Sequence, residues 1–156
     1  MRFALFAALL LAIGCASAYD ETYAKETEML EQQEQTRQAE EAAAHAEARK
    51  YAAVVYFDVN SAEIKDAREL DWFVKQMQPY PHAIIQVQGF ADSTGAESFN
   101  QQLSNQRAAS VAQYLGSAGI DPSQIRTEGF ASEYAARPNV TAQGRERNRR
   151  VEVTVR

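Results

Sequence analysis

Apolar and polar positions change their pattern several times along the 156-residue chain. Phe3 to Ile13 is an apolar run behind Met1-Arg2. At about a dozen residues it is too short to cross a bilayer as a permanent helix, and it reads as a secretory signal. From about Asp20 to Lys50 the residues are mostly Glu, Gln and Ala, with no Pro or Gly, so helix is favoured throughout. Met29 and Leu30 are the large aliphatic side chains there, and no heptad seam is sustained. The segment therefore predicts a solvated helical spacer or a partly disordered tether, with a reach of roughly 45 Å if fully helical.

Beyond residue 50 two periods alternate. Ala52 to Phe57, Ile84 to Phe90, Ile125 to Phe130 and Val151 to Val155 are rich in β-branched and aromatic residues, and predict four strands. Ile64, Leu70, Phe73, Val74 and Met77 recur at helical spacing and predict a helix from Ala62 to about Met77, with Ser61 as its cap, Trp72 at the core's edge, and Pro79 and Pro81 beyond its end. Asn100 to Leu115 predicts a second amphipathic helix, closed by Gly116, Gly119 and Pro122. Ala131 to Arg147, with its Pro, Asn and Gly, predicts a long exposed loop. This alternation gives an α/β sandwich (α+β), with helices packed on one face of a mixed sheet of about four strands. The chain so divides into a signal over residues 1–18, a tether over 19–50 and one domain over 51–156.

One residue is out of place in this pattern. At about 100° per residue, Leu103, Val111, Tyr114 and Ala118 share a stripe of the second helix, and Arg107 falls in its middle. A guanidinium facing a core must be paired or look out through an opening, since an uncompensated buried charge costs several kcal/mol. Asp92 is the nearest upstream anion, at the carboxyl end of the strand Ile84 to Phe90 and before the turn residues Ser93-Thr94-Gly95. Two readings follow. Asp92 and Arg107 form a plain salt bridge fixing helix to sheet, or they form a two-part socket in which Asp92 takes an ammonium and Arg107 a carboxylate of a zwitterionic ligand.

Charge and composition exclude several other functions. Residues 19 to 50 hold nine acidic against four basic side chains, a difference equal to the whole formal charge of −5. The folded part is near neutral, so no nucleic-acid footprint is indicated. His45 and His82 have no partners at ligand spacing, so no metal site is expected. An enzyme would need an activated nucleophile, an acid/base pair or a metal, and none is in evidence. The single cysteine, Cys15, allows no internal disulfide. It ends Ala12-Ile13-Gly14-Cys15, which resembles a lipobox with Ala12 where Leu is preferred, while Ala16-Ser17-Ala18 offers an ordinary signal-peptidase site before Tyr19. Lipidation of Cys15 would anchor the chain to a membrane.

The spacing N-x2-L-S-x2-R-A-x2-V-x3-L at Asn100, Leu103, Ser104, Arg107, Ala108, Val111 and Leu115 resembles the OmpA C-terminal-like domain, a peptidoglycan-binding family that includes the peptidoglycan-associated lipoprotein. The likeness extends over roughly residues 52 to 156, through Tyr56-Phe57-Asp58-Val59-Asn60-Ser61, Gly89-Phe90-Ala91-Asp92-Ser93-Thr94-Gly95, Glu128-Gly129-Phe130-Ala131 and Gly144 to Val153 with its Asn148-Arg149-Arg150. Phe90-Ala91 departs from the family's usual His-Thr. The resemblance implies non-catalytic binding of the peptidoglycan stem peptide, whose diaminopimelate end displays an ammonium and a carboxylate on one carbon. It assigns the two charges to Asp92 and Arg107, hydrogen bonds to Thr94 and Asn100, the rim to Asn60 and the backbone around Phe57 and Asp58, and a second cation to Arg149. It implies no cofactor, a place at the periplasmic face of the outer membrane, and either the cell wall or a periplasmic or membrane protein as main partner.

Overall fold

The computed structural model describes the backbone from Phe3 to Arg156 and the side chains from Thr22 onward. The expected signal over 1–18 and the lipidation candidate Cys15 lie outside the residues whose side chains are described. Two compact units are present, Met1–Ala43 and Ala44–Arg156. Helix α1 (Phe3–Ala48) makes up the first and supplies the first residues of the second. The tether residues are thus helical. Their side chains are exposed almost throughout, with Arg37 bridging Glu34 and Glu41 one turn away on either side. Such pairs contribute only a few tenths of a kcal/mol each. Among the described residues no helix is long and apolar enough to cross a membrane.

The second unit runs β1 (Ala52–Tyr56), α2 (Arg68–Met77), β2 (Ile85–Gly89), α3 (Glu97–Ser117), a 3-10 turn (Pro122–Gln124), β3 (Ile125–Gly129), α4 (Ala142–Asn148) and β4 (Arg150–Val155). The sheet order is β1-β4-β2-β3. Strand β4 pairs antiparallel with both β1 and β2, and β2 pairs parallel with β3. Side-chain alternation puts Ala53, Val55, Ile85, Val87, Val151, Val153 and Val155 on one face, buried against Leu70, Phe73 and Met77 of α2 and Ala108, Val111 and Leu115 of α3. The expected mixed sheet, helices on one face, is what forms.

Two elements differ from the sequence reading. Helix α2 begins at Arg68, not Ala62. A helix capped at Ser61 would need the Ser61 carbonyl for its first internal bond. That carbonyl instead accepts from Arg107 Nε at 2.8 Å. Ser61 Oγ does accept from Glu63 N, at 3.1 Å, but the turn is not continued. The second difference is α4, inside the stretch expected to be loop. Its seven residues bury only Gly144 and Asn148, so no apolar period announces it. Thr141 caps it, its Oγ1 accepting from Gly144 N at 2.9 Å.

Candidate functional site

Strand β2 ends at Gly89, and α3 comes down on this end unusually closely. A Cβ on Gly89 would lie 2.1 Å from the Ser104 carbonyl oxygen, and one on Gly129 would lie 2.3 Å from Asn105 Oδ1. Only glycine tolerates these contacts. Fully buried Ser104 occupies the gap, its hydroxyl donating to Gln101 O at 2.9 Å and accepting from Ala131 N at 3.1 Å. Ala131 is held there with φ 46°. One turn further along α3, the Arg107 guanidinium is thereby lowered among the loops at the strand ends.

Arg107 is 0% exposed and is the largest fully buried side chain among the described residues. Its Nε donates to Ser61 O at 2.8 Å, Nη1 to Phe90 O at 2.9 Å and Nη2 to Asp58 O at 2.9 Å, and the group lies 5.4 Å from the Phe57 ring centroid. Three of its five N–H bonds are so engaged. Burial, and then the like charge of Arg149, bring its pKa down to about 10, with Asp92 opposing the shift. It remains a cation at neutral pH.

The ion pair at Asp92 is made with Arg149, not with Arg107, which corrects the simple salt-bridge reading. Arg149 Nη1 donates to Asp92 Oδ2 at 3.1 Å, both side chains being mostly buried, and Arg149 Nε donates to Phe57 O at 3.0 Å. Asp92 Oδ1 accepts from Thr94 N at 2.8 Å. Burial raises the Asp92 pKa, but the Thr94 hydrogen bonds and Arg149 outweigh it and hold the carboxyl below its ordinary range. The Asp92 loop is fixed from outside by Asn148, which is fully buried. Asn148 Nδ2 donates to Arg137 O and Asn139 Oδ1, and that same Asn139 oxygen accepts from Ser93 N at 3.2 Å. Asn148 and Ser104 were present in the quoted motifs, but nothing in their spacing marks them as positioning residues.

Asn60, Asp92, Thr94, Asn100, Arg107 and Arg149 all line one recess, closed further by Val59, Ala91 and Leu103. Asn60 adopts φ 54°, a left-handed conformation that asparagine accepts more readily than most residues. Asp58, expected there by its backbone, does not line the recess with its side chain. Its carboxylate turns outward to Lys65, and only its backbone carbonyl serves the site, through Arg107. Of the pair that departs from the family pattern, Ala91 lines the recess, while Phe90 contributes its carbonyl to Arg107 and stacks its ring on Phe130, centroids 5.6 Å apart.

The recess encloses only about 10 Å³, the space of roughly one water, so a larger ligand sits in its mouth. Two guanidinium groups against one carboxylate leave an excess positive charge that suits an anion. Asp92 retains lone pairs beyond its two bonds for a cationic donor. Oppositely charged groups fixed side by side on a buried scaffold favour a ligand carrying both signs over either ion alone.

An α/β sandwich with helices on one face of a β1-β4-β2-β3 sheet and a two-signed recess at its strand ends defines the class, the OmpA-like fold. The chain belongs to the OmpA family, whose model matches residues 56–149. It is 42% identical over 103 residues to the probable lipoprotein YiaD of Escherichia coli strain K12, covering 65% of this chain and 47% of that protein. It is 38% identical over 90 residues to the peptidoglycan-binding protein ArfA of Mycobacterium tuberculosis strain H37Rv, covering 58% of this chain and 28% of ArfA. The crystal structure of the peptidoglycan-associated lipoprotein from Burkholderia pseudomallei superposes with a TM-score of 0.64 at 24% identity, over 67% of this chain and 90% of that one. That likeness speaks for the fold. The chain spans about half the length of YiaD.

Proposed function

We propose that residues 51–156 form a non-catalytic domain that binds peptidoglycan through the diaminopimelate of its stem peptide and holds the outer membrane to the cell wall. The observation that carries this reading is the convergence of Asp92, Arg107 and Arg149 in one recess. The ligand carboxylate faces the two guanidinium groups, and its ammonium faces Asp92. Thr94 and Asn100 supply hydrogen bonds from the rim, with Asn60 beside them. ArfA, named as peptidoglycan-binding, supports the ligand class, and the lipoprotein relative YiaD supports a place in the envelope. Residues 1–18 carry the signal, cleaved either before Cys15, which then becomes the lipid anchor point, or after Ala18, which removes Cys15 with it, and the helix that follows acts as the spacer between membrane and wall.

The test is co-sedimentation of the chain with purified peptidoglycan, wild type beside Asp92→Asn, with a melting curve for each. One desolvated ion pair is worth a few kcal/mol, so the variant should lose pelleting while keeping its fold. Wall in which lysine replaces diaminopimelate lacks the distal carboxylate and should pellet the wild type poorly. Wild-type protein that stays in the supernatant with both walls would sink the proposal, and would favour a protein as main partner.

A further inference from the structure

We propose a second binding site on the opposite face of the sheet: a cleft for a small oxyanion, built around Arg150. Strand β4 alternates, so that Val151, Val153 and Val155 face the core while Arg150 and Glu152 face away from it. Yet the Arg150 side chain is only 7% exposed. Its guanidinium carbon lies 4.0 Å from the Phe90 ring centroid, its Nε donates to Glu152 Oε1 at 2.6 Å, and its Nη2 makes a long bond to Tyr134 O at 3.3 Å. Nη1 has no partner at all. Among the described residues it is the one buried side-chain nitrogen or oxygen left so.

Arg150 and Glu152 line two open clefts. One, of about 380 Å³, lies between Tyr56 and Ala136 and is bordered by Arg137 and Arg147. The other, of about 410 Å³, is walled by Phe90, Phe130 and Tyr134. Arg147 lies over the Tyr56 ring at 5.4 Å, and Phe130 meets Tyr134 edge-on at 5.3 Å. The first cavity thus gathers Arg137, Arg147 and Arg150 against Glu152 alone.

An unmet buried N–H on a charged group carries an uncompensated desolvation penalty. Water could meet the hydrogen bond but would leave the excess charge in place. An oxyanion meets both, and the fork of a guanidinium stacked on an aromatic ring suits its paired oxygens. Carboxylate and phosphate share this chemistry. The site uses none of the recess's side chains, so it stands apart from the peptidoglycan reading.

The experiment is a titration of the 15N-labelled full chain with sodium acetate and, separately, with inorganic phosphate, at constant ionic strength against a chloride control. Saturable shifts at Tyr56, Phe130, Tyr134 and the Arg150 side chain are expected. They should weaken about tenfold in the surface variant Arg147→Met, as for loss of one charged contact. Saturation by acetate alone identifies a carboxylate source, and by phosphate alone a phosphate source. Shifts that fail to saturate, that chloride reproduces, or that Arg147→Met leaves unchanged would overturn the site.

Discussion

Arg107 serves the recess and the fold with the same atoms. Its three carbonyl partners come from the β1–α2 loop and the residue after β2, segments that Arg149 also ties together through Phe57 O and Asp92. Arg107→Ala strands these acceptors and leaves a cavity, and should lower stability by about 2–4 kcal/mol in urea denaturation. Loss of wall binding in that variant would therefore say little about ligand contact. Asp92→Asn is the cleaner probe, because the Thr94 N–H retains an acceptor. Its pH behaviour is also distinctive. The folded Asp92 carboxyl titrates below its unfolded value of about 3.9, so its contribution is complete above that pH and is lost as the pH falls through the lower folded value. Wild-type protein should lose stability relative to Asp92→Asn on going from pH 5 toward pH 3. Parallel stability curves for the two proteins would show that Arg149 and Thr94 do not favour the ionised form.

At the scale of elements, the placement of α3 decides the site. Gly89 is the contact that sets its height over the sheet, and Gly89→Ala drives a Cβ into the Ser104 carbonyl. Backbone cannot give way as a flexible side chain does, so a loss of about 3 kcal/mol or outright unfolding is expected. Gly95→Ala meets open space and only a left-handed φ of 92°, and should cost about 1 kcal/mol in the same assay. Equal losses would mean that the approach of helix to strand is softer than the distances imply. The short α4 acts at longer range through Thr141 and Asn148. Thr141→Ala removes the cap at a cost of about 1 kcal/mol, and hydrogen exchange should rise at Gly144.

For the whole molecule, the compact unit begins at Ala44, ahead of the boundary expected at residue 51. Ala48 is fully buried in its core, and Tyr51 packs against the Trp72 and Tyr80 rings at 5.9 and 6.1 Å. A fragment of residues 44–156 should unfold cooperatively in urea. One starting at residue 52 should be less stable by about 2–3 kcal/mol, the burial lost with Ala48 and Tyr51. Identical midpoints would place the boundary at the first strand after all.

The sequence by itself determined the strands, the core faces of α2 and α3, and the oddity of Arg107, because each is written in local periodicity or in its violation. It also carried the family, through spacings that survive without knowledge of contacts. Tertiary structure decided what periodicity does not encode. Arg149 arrives beside Asp92 from the junction of α4 and β4, 57 residues further along the chain, and only the pairing of β4 with β2 brings them together. The late start of α2 follows from a carbonyl taken by a guanidinium 46 residues away. Asp58 turned its carboxylate to Lys65 and left its carbonyl to the site. Which groups pair is settled by the competition among neighbours for each donor and acceptor. Those neighbours exist only once the chain is folded.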